Sequence, residues 1–160
     1  MRERLRDAPP SSDSACAALG GWLAAHPALH TVAGYSALPG EVDLSQTIQA
    51  HPDLVWVYPR VTGDHLSFHL GSNLTVGSFG ILEPDANSPE IPIGDIDAFL
   101  CPGLGFTLDG DRLGRGCGFY DRTLARARSD AFRLGICFRS QLVPDTYSES
   151  HDIRMNEVIF

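Results

Sequence analysis

Lysine is absent. All twelve basic residues are arginine, against twenty acidic ones, which leaves a net charge of -8. A Schiff-base lysine and the lysine of a Walker-type phosphate loop are therefore excluded. Any phosphate bound here must be held by arginine, histidine, backbone N–H groups or a metal ion. The acidic excess also argues against non-specific nucleic-acid binding, which needs a basic surface to neutralise phosphates. No run of 18 apolar residues occurs, so no membrane span is expected. Met1 to Pro10 is charged and lacks the apolar centre of a secretory signal. The four cysteines (Cys16, Cys101, Cys117 and Cys137) are widely spaced and form no C-x-x-C pair. Together these absences predict a cytoplasmic protein with free thiols.

What remains is an ordinary globular composition. Of 160 residues, 43% are hydrophobic and 20% charged, which predicts one folded domain over residues 1–160. A chain of this length buries roughly 70% of its unfolded surface and needs no disulfide or metal to fold. Glycine (16) and proline (11) are frequent enough to predict many loops. Residues 15–25 read as a helix that stops before Pro27. Residues 29–35 read as a short strand, and Asp43 can cap a helix running to about Ala50. Leu54 to Tyr58, Ile96 to Cys101 and Arg133 to Phe138 are apolar runs of the kind that form strands covered on both faces. Leu66, Phe68 and Leu70 alternate with Ser67 and His69 and predict a half-exposed strand. Gly71 to Pro92 reads as loop, and Asp121 to Arg128 as helix. Strands alternating with helices predict an α/β layered sheet.

The chemistry is concentrated in Arg112-Leu113-Gly114-Arg115-Gly116-Cys117-Gly118-Phe119-Tyr120-Asp121. Three glycines at alternate positions let backbone N–H groups approach an anion closely. Arg112 and Arg115 supply planar, permanently charged forks that match phosphate oxygens. A helix start near Asp121 would add the positive end of its dipole. The loop follows a buried strand, and ligands of open α/β sheets bind beyond the carboxyl ends of the strands. The spacing G-x-G-x-G is neither a Walker loop nor the G-x-G-x-x-G dinucleotide fingerprint. A flexible glycine turn with two surface arginines is the plainer alternative.

Pro102-Gly103-Leu104-Gly105-Phe106, followed by Gly110 to Asp121, closely resembles the signature of the 5-formyltetrahydrofolate cyclo-ligase (5,10-methenyltetrahydrofolate synthetase) family. Tyr35 to Asp43, Tyr58-Pro59-Arg60, Phe79-Gly80-Ile81-Leu82-Glu83-Pro84 and Gln141 to Ile159 resemble further segments of it in the same order. The resemblance spans residues 32–160 and, more weakly, the start.

The resemblance implies a three-layer α/β/α fold with a mostly parallel sheet, Rossmann-like and related to the coenzyme A transferase architecture. It implies a ligase that uses ATP and Mg²⁺ to turn 5-formyltetrahydrofolate into 5,10-methenyltetrahydrofolate through an iminophosphate, releasing ADP and phosphate. Carried over by residue, Arg115, Arg112 and Tyr120 would be catalytic. The nucleotide would be held by Arg2, Arg6 and residues Arg112, Leu113, Gly114, Arg115, Gly116, Cys117, Gly118, Phe119 and Tyr120. The folate, polyglutamylated or not, would meet Ser36, Glu41, Arg60, Arg115, Gly116, Cys117, Gly118 and Phe119. Asp121 and Asp152 would hold Mg²⁺. The partners implied are these small molecules, with no nucleic acid and no membrane, and the protein would act as a monomer.

The chain departs from the family pattern in places. Pro9-Pro10 cut the first helix short, arginine replaces lysine in the basic start, and Cys117 and Asn156 stand where other residues are usual. These departures keep open a folate- or nucleotide-binding protein of the same fold without turnover. An enzyme of this architecture acting on another phosphorylated or coenzyme A substrate fits the motif set less well. His65-x-x-x-His69 has zinc-pair spacing for a helix, but on a strand its imidazoles stand ~13 Å apart.

Overall fold

A computed structural model describes residues 10–71, 74–77 and 80–160. Arg2, Arg6 and Phe79 lie outside the described residues. The chain runs through α1 (Asp13–Ala24), β1 (Thr31–Ala33), α2 (Ser45–Ala50), β2 (Val55–Thr62), β3 (His65–Leu70), β4 (Leu74–Val76) and β5 (Leu82–Pro84). It continues through β6 (Glu90–Ile91), β7 (Ala98–Cys101), β8 (Gly105–Phe106), β9 (Arg112–Leu113), α3 (Phe119–Leu124), β10 (Phe132–Ile136) and β11 (Glu157–Ile159).

Among the described residues, seven strands form one sheet in the order β11-β10-β7-β1-β2-β3-β6. The pairings from β11 to β2 are parallel, and β3 and β6 add antiparallel strands at one side. The three apolar runs β2, β7 and β10 are interior strands, as their unbroken hydrophobicity predicts. Neighbouring residues of one strand feed opposite cores. Val32 packs with Leu19, Leu23, Leu100 and Leu134 beneath α1. Ala33 packs with Val57, Phe68, Phe99, Phe106 and Leu124 beneath α3. Each fully buried Leu or Phe contributes roughly 1.5–3 kcal/mol. Helices on both faces of a mostly parallel sheet are the three layers expected.

β2 runs further than predicted, through Pro59 and Arg60. Its parallel pairing with β1 stops at Val57, while its antiparallel pairing with β3 continues to Thr62. The side of Pro59 that lacks an N–H therefore faces a free edge, where proline costs no ladder bond. On that same edge the Val61 N–H donates to the Glu83 carboxylate at 3.2 Å.

β3 is not half-exposed. Ser67 and His69 are buried along with Leu66 and Phe68. Segment 85–91 covers the polar face: His69 Nδ1 lies 3.0 Å from the Ser88 carbonyl, and its Nε2 lies 2.8 Å from Ser67 Oγ. The alternation was real, but both faces are lined. The stretch read as loop, Gly71 to Pro92, carries β4, β5 and β6. The short parallel strand β11 escaped notice because three residues carry no period.

α3 begins at Phe119, earlier than expected, and holds only six residues. Gly118, at φ +69, is its cap, so Asp121 sits inside the first turn and caps nothing. A helix this short adds little dipole. α3 is anchored through Thr123, whose hydroxyl donates to the Phe119 carbonyl and accepts the Leu66 N–H. Ahead of α2 the cap is Leu44, but the Asp43 carboxylate accepts both the N–H and the hydroxyl of Ser45. Those bonds hold the Asp43 carboxyl below its usual range.

Gly110 closes the turn between β8 and β9 at φ +98, where an added Cβ would collide with the Met155 carbonyl oxygen. Left-handed strain and backbone collision act together here. Gly110→Ala is expected to cost about 2–4 kcal/mol. A thermal melt should show a fall of about 4–16 °C in Tm. An unchanged Tm would mean that the turn relaxes freely.

Candidate functional site

Three parallel strands deliver the site. β1, β7 and β10 end side by side, and the loops that follow β1 and β7 rise over their carboxyl ends. With residues 146–152 of the tail they enclose a cleft of about 690 Å³. Glu41, Tyr35 and Ser36, Pro102 and Gly103, the whole run Arg112–Asp121, and Asp152 all line it.

The glycine-rich run earns its glycines at two places. Gly116 and Gly118 adopt φ +91 and +69, in the left-handed region that a side chain resists. Between them, the Cys117 carbonyl accepts a hydrogen bond from Arg122 Nη2, and Arg122 Nε reaches the Asp64 carbonyl of the β2–β3 turn. Arg122 thus pins the loop from behind. Its guanidinium also lies over the Phe119 ring, 5.6 Å from the centroid. Cys117 is exposed, and all four cysteines are free, as expected. Burial pushes the Cys101 thiol up to about 12, so it stays protonated.

The two arginines differ in circumstance. Arg115 is half-exposed, and its Nη2 lies 3.2 Å from Oε1 of Glu41, which is almost wholly covered. Glu41 Oε2 accepts the Leu38 N–H at 2.9 Å. Arg112 is buried: its Nη1 donates to the Pro102 carbonyl at 3.1 Å, and its Nη2 lies 3.7 Å from Asp121 Oδ2. The Arg112 guanidinium sits 5.2 Å from the centre of the Tyr120 ring. Arg112 Nε and the Tyr120 hydroxyl are buried, and neither has a hydrogen-bond partner among the described residues. Buried polar groups are nearly always satisfied, so these two atoms stand out: their residues line the cleft, while the atoms themselves are sealed from it as the side chains stand. Burial also lifts the Tyr120 phenol well above its ordinary range, so it remains a proton donor.

The aspartates meet through the tail. Asp121 Oδ1 accepts the N–H of Ile153, the residue after Asp152. Asp152 Oδ2 accepts the Glu149 N–H, and its Oδ1 lies 3.4 Å from His151 Nε2. Each carboxylate thus keeps an oxygen free of backbone bonds. No group of three or more His, Cys, Asp or Glu suited to a metal occurs among the described residues. Two hard oxygen donors with room for a ligand beside them suit Mg²⁺, which takes few carboxylates and fills its sphere with water and phosphate oxygens.

Of the residues singled out in the sequence, Ser36, Glu41, Leu113, Phe119, Tyr120, both loop arginines, Cys117, the loop glycines and both aspartates line this cleft. Arg60 does not. Pro59 and Val61 face the cleft, so Arg60 points to the other side of β2 and donates to the Pro84 and Asp85 carbonyls. It fixes the turn after β5. Two residues were missed. Glu83 lines the cleft although its motif had been noted without a role for it. Nothing in the sequence pattern marks Gln141, whose amide donates to the Gly103 carbonyl at 3.0 Å and reaches the Gly40 carbonyl at 3.4 Å.

The fold and the cleft define an open α/β protein whose ligand site, beyond the strand ends, is furnished for an anion and for a ring with polar edges. The family model described as the 5-formyltetrahydrofolate cyclo-ligase family matches residues 44–160. A 5-formyltetrahydrofolate cyclo-ligase of Mus musculus is 34% identical over 82 residues, 49% of this chain and 40% of that protein. One of Escherichia coli strain K12 is 30% identical over 140 residues, 81% of this chain and 77% of that protein. The solved structure of Aquifex aeolicus 5,10-methenyltetrahydrofolate synthetase superimposes with a TM-score of 0.79 at 29% identity, covering 92% of this chain and 76% of that one. The chain belongs to the 5-formyltetrahydrofolate cyclo-ligase family. It spans about half the length or less of several of the curated relatives it matches. Among the described residues no helix is long and apolar enough to cross a membrane.

Proposed function

We propose that this chain converts 5-formyltetrahydrofolate to 5,10-methenyltetrahydrofolate at the expense of ATP. One observation carries the reading. A single cleft holds a covered carboxylate suited to an amino-pyrimidine edge, Glu41, against a mobile-length cation suited to phosphate, Arg115, with the glycine loop beside them. Family membership and the fold support it.

The reaction in this reading has two displacements. The formyl oxygen attacks the γ-phosphorus and ADP leaves. The neighbouring folate nitrogen then attacks the formyl carbon of the iminophosphate and closes the ring, and phosphate leaves as the nitrogen gives up its proton to it or to water. Catalysis of such a transfer is mainly positioning and charge neutralisation. Glu41 grips the pterin's N–H donors by charge-assisted hydrogen bonds. In taking that edge it gives up Arg115, whose fork then turns to the transferring phosphoryl group. Substrate binding and the arming of the cation become one event. Arg112 holds a fixed positive charge under the loop, and Tyr120 donates a hydrogen bond to an oxyanion. The glycine-loop N–H groups cradle phosphate oxygens. Asp121 and Asp152 would hold Mg²⁺, which when bound offsets phosphate charge.

The test is direct. Purified protein mixed with 5-formyltetrahydrofolate, ATP and Mg²⁺ should show the growing absorbance of the methenyl product, and none when any one of the three is omitted. Binding of 5-formyltetrahydrofolate without any product would replace this reading with that of a folate-binding protein.

A further inference from the structure

We infer that Glu83 is a second reading head of the cleft: its carboxylate accepts a hydrogen bond from the N–H edge of a planar nitrogen heterocycle. This rests on the reading above for the identity of the two candidate rings, the pterin and the adenine.

The argument starts from strand alternation. Along β5, Leu82 faces a second cavity beside α2, whereas Glu83 faces the main cleft. Glu83 is 8% exposed, yet no arginine or histidine among the described residues pairs with it. Its Oε1 accepts the Val61 N–H. Its Oε2 takes no hydrogen bond from any described residue, and it is not among the sealed-off orphan atoms. Among the described residues it is therefore an unclaimed acceptor in the lining of the cleft. Gly77 lies under this carboxylate so closely that a Cβ there would collide with both Oε2 and Cδ. The strand pair β4–β5 is thus shaped to hold the side chain in one pose.

A lone carboxylate in an apolar lining costs free energy unless something completes it. Pro59, Val61, Leu66 and Ile81 are the apolar neighbours that line the cleft with it. Apolar lining of this kind can receive a ring, and the carboxylate among it receives the ring's amino group. A triphosphate is excluded from this spot because like charges repel. Glu83 consequently selects the heterocyclic end of a substrate, while Arg115, Arg112 and the glycine loop take the anionic end. This divides the cleft into a donor-reading wall and a phosphate-reading wall.

The experiment uses Glu83→Gln in the full chain. The amide oxygen still accepts the Val61 N–H, so the β2 edge keeps its support. The NH₂ group then faces the ring and opposes another donor. Dissociation constants are measured by calorimetry for 5-formyltetrahydrofolate alone and for a non-hydrolysable ATP analogue with Mg²⁺, beside the Tm. The expected result is a loss of tenfold or more for one ligand, less than twofold for the other, and an unaltered Tm. Loss confined to the folate assigns Glu83 to the pterin, and loss confined to the analogue assigns it to the adenine. Glu83→Asp, which withdraws the carboxylate by one methylene, should show the same split. Two unchanged constants would overturn the inference. So would two weakened constants with a lowered Tm, since Glu83 would then be only a strut for β2. Because binding is read without turnover, the absence of methenyl product from the native protein would sink the proposed reaction and leave this test standing.

Discussion

Replacing Arg115 by alanine is expected to lower turnover by roughly 10²–10³-fold, the usual effect of deleting one group that stabilises developing charge in a transition state. The fold should survive. Arg115 is 46% exposed, and its bond to Glu41 is its one ion pair among the described residues, so solvent screening leaves little stability to lose. The folate should bind somewhat more tightly to the variant, because it no longer competes with the guanidinium for Glu41 Oε1. That combination, a lower kcat with a lower folate KM, is the signature of a group that is released by one substrate and used on another. Arg115→Lys should recover part of the rate. It restores a charge but not the fork that reaches two phosphate oxygens. A wild-type rate for the alanine variant would remove Arg115 from the chemistry and reduce its pairing with Glu41 to a surface ion pair. A fall in both folate and nucleotide affinity with unchanged kcat would make it a binding residue for both ligands.

The same pair of residues shows how far the sequence could be read. Glycines 114, 116 and 118 and the arginines beside them stood out because backbone freedom and charge together after a buried strand suit an anion, although a flexible turn with surface arginines would give the same pattern. The apolar runs that became β2, β7 and β10 stood out for a different reason: a strand lined on both faces needs no polar position, so its pattern is plain. Neither signal says which way a side chain turns. Arg60 follows Pro59 in a segment that resembles the family's strand end, but the two-residue period of β2 sends it to the opposite face from the cleft. Arg112, expected to offer a fork to phosphate, does line the cleft, but the sequence could not show how deeply it sits. Its carrying strand pairs with β8, and this draws the guanidinium down onto the Pro102 carbonyl and the Tyr120 ring. Alternation along β3 predicted an exposed polar face, and only the long-range covering by segment 85–91 overturned it. A local pattern cannot report what a distant segment brings. Gln141 is the extreme case, since its role depends on two carbonyls, at Gly40 and Gly103, that lie 101 and 38 residues away.

Asp121→Asn should raise the Mg²⁺ concentration needed for half-maximal activity by tenfold or more, while 5-formyltetrahydrofolate binding without nucleotide stays within twofold of the native protein. The reason lies in what the substitution keeps. The amide oxygen can still accept the Ile153 N–H, so the tail stays docked and Asp152 stays beside the cleft. What disappears is the negative charge that faces the cation, and hard cations respond strongly to ligand charge. The change has a second consequence. Arg112 is 7% exposed at its side chain, and Asp121 Oδ2, at 3.7 Å, is the carboxylate set against it. Without that charge the buried guanidinium keeps only the Pro102 carbonyl among its described hydrogen-bond acceptors, and stability should fall by about 2 kcal/mol. The Tm should drop accordingly, by about 4–8 °C. Metal dependence and melting temperature therefore move together in this variant, whereas Asp152→Asn, whose neighbours are His151 and the Glu149 N–H, should shift the metal requirement with little change in Tm. If Asp121→Asn weakens folate binding and leaves the metal titration unmoved, Asp121 belongs to the folate wall. Its closeness to Arg112 would then serve to set the pitch of the glycine loop and would have nothing to do with a cation.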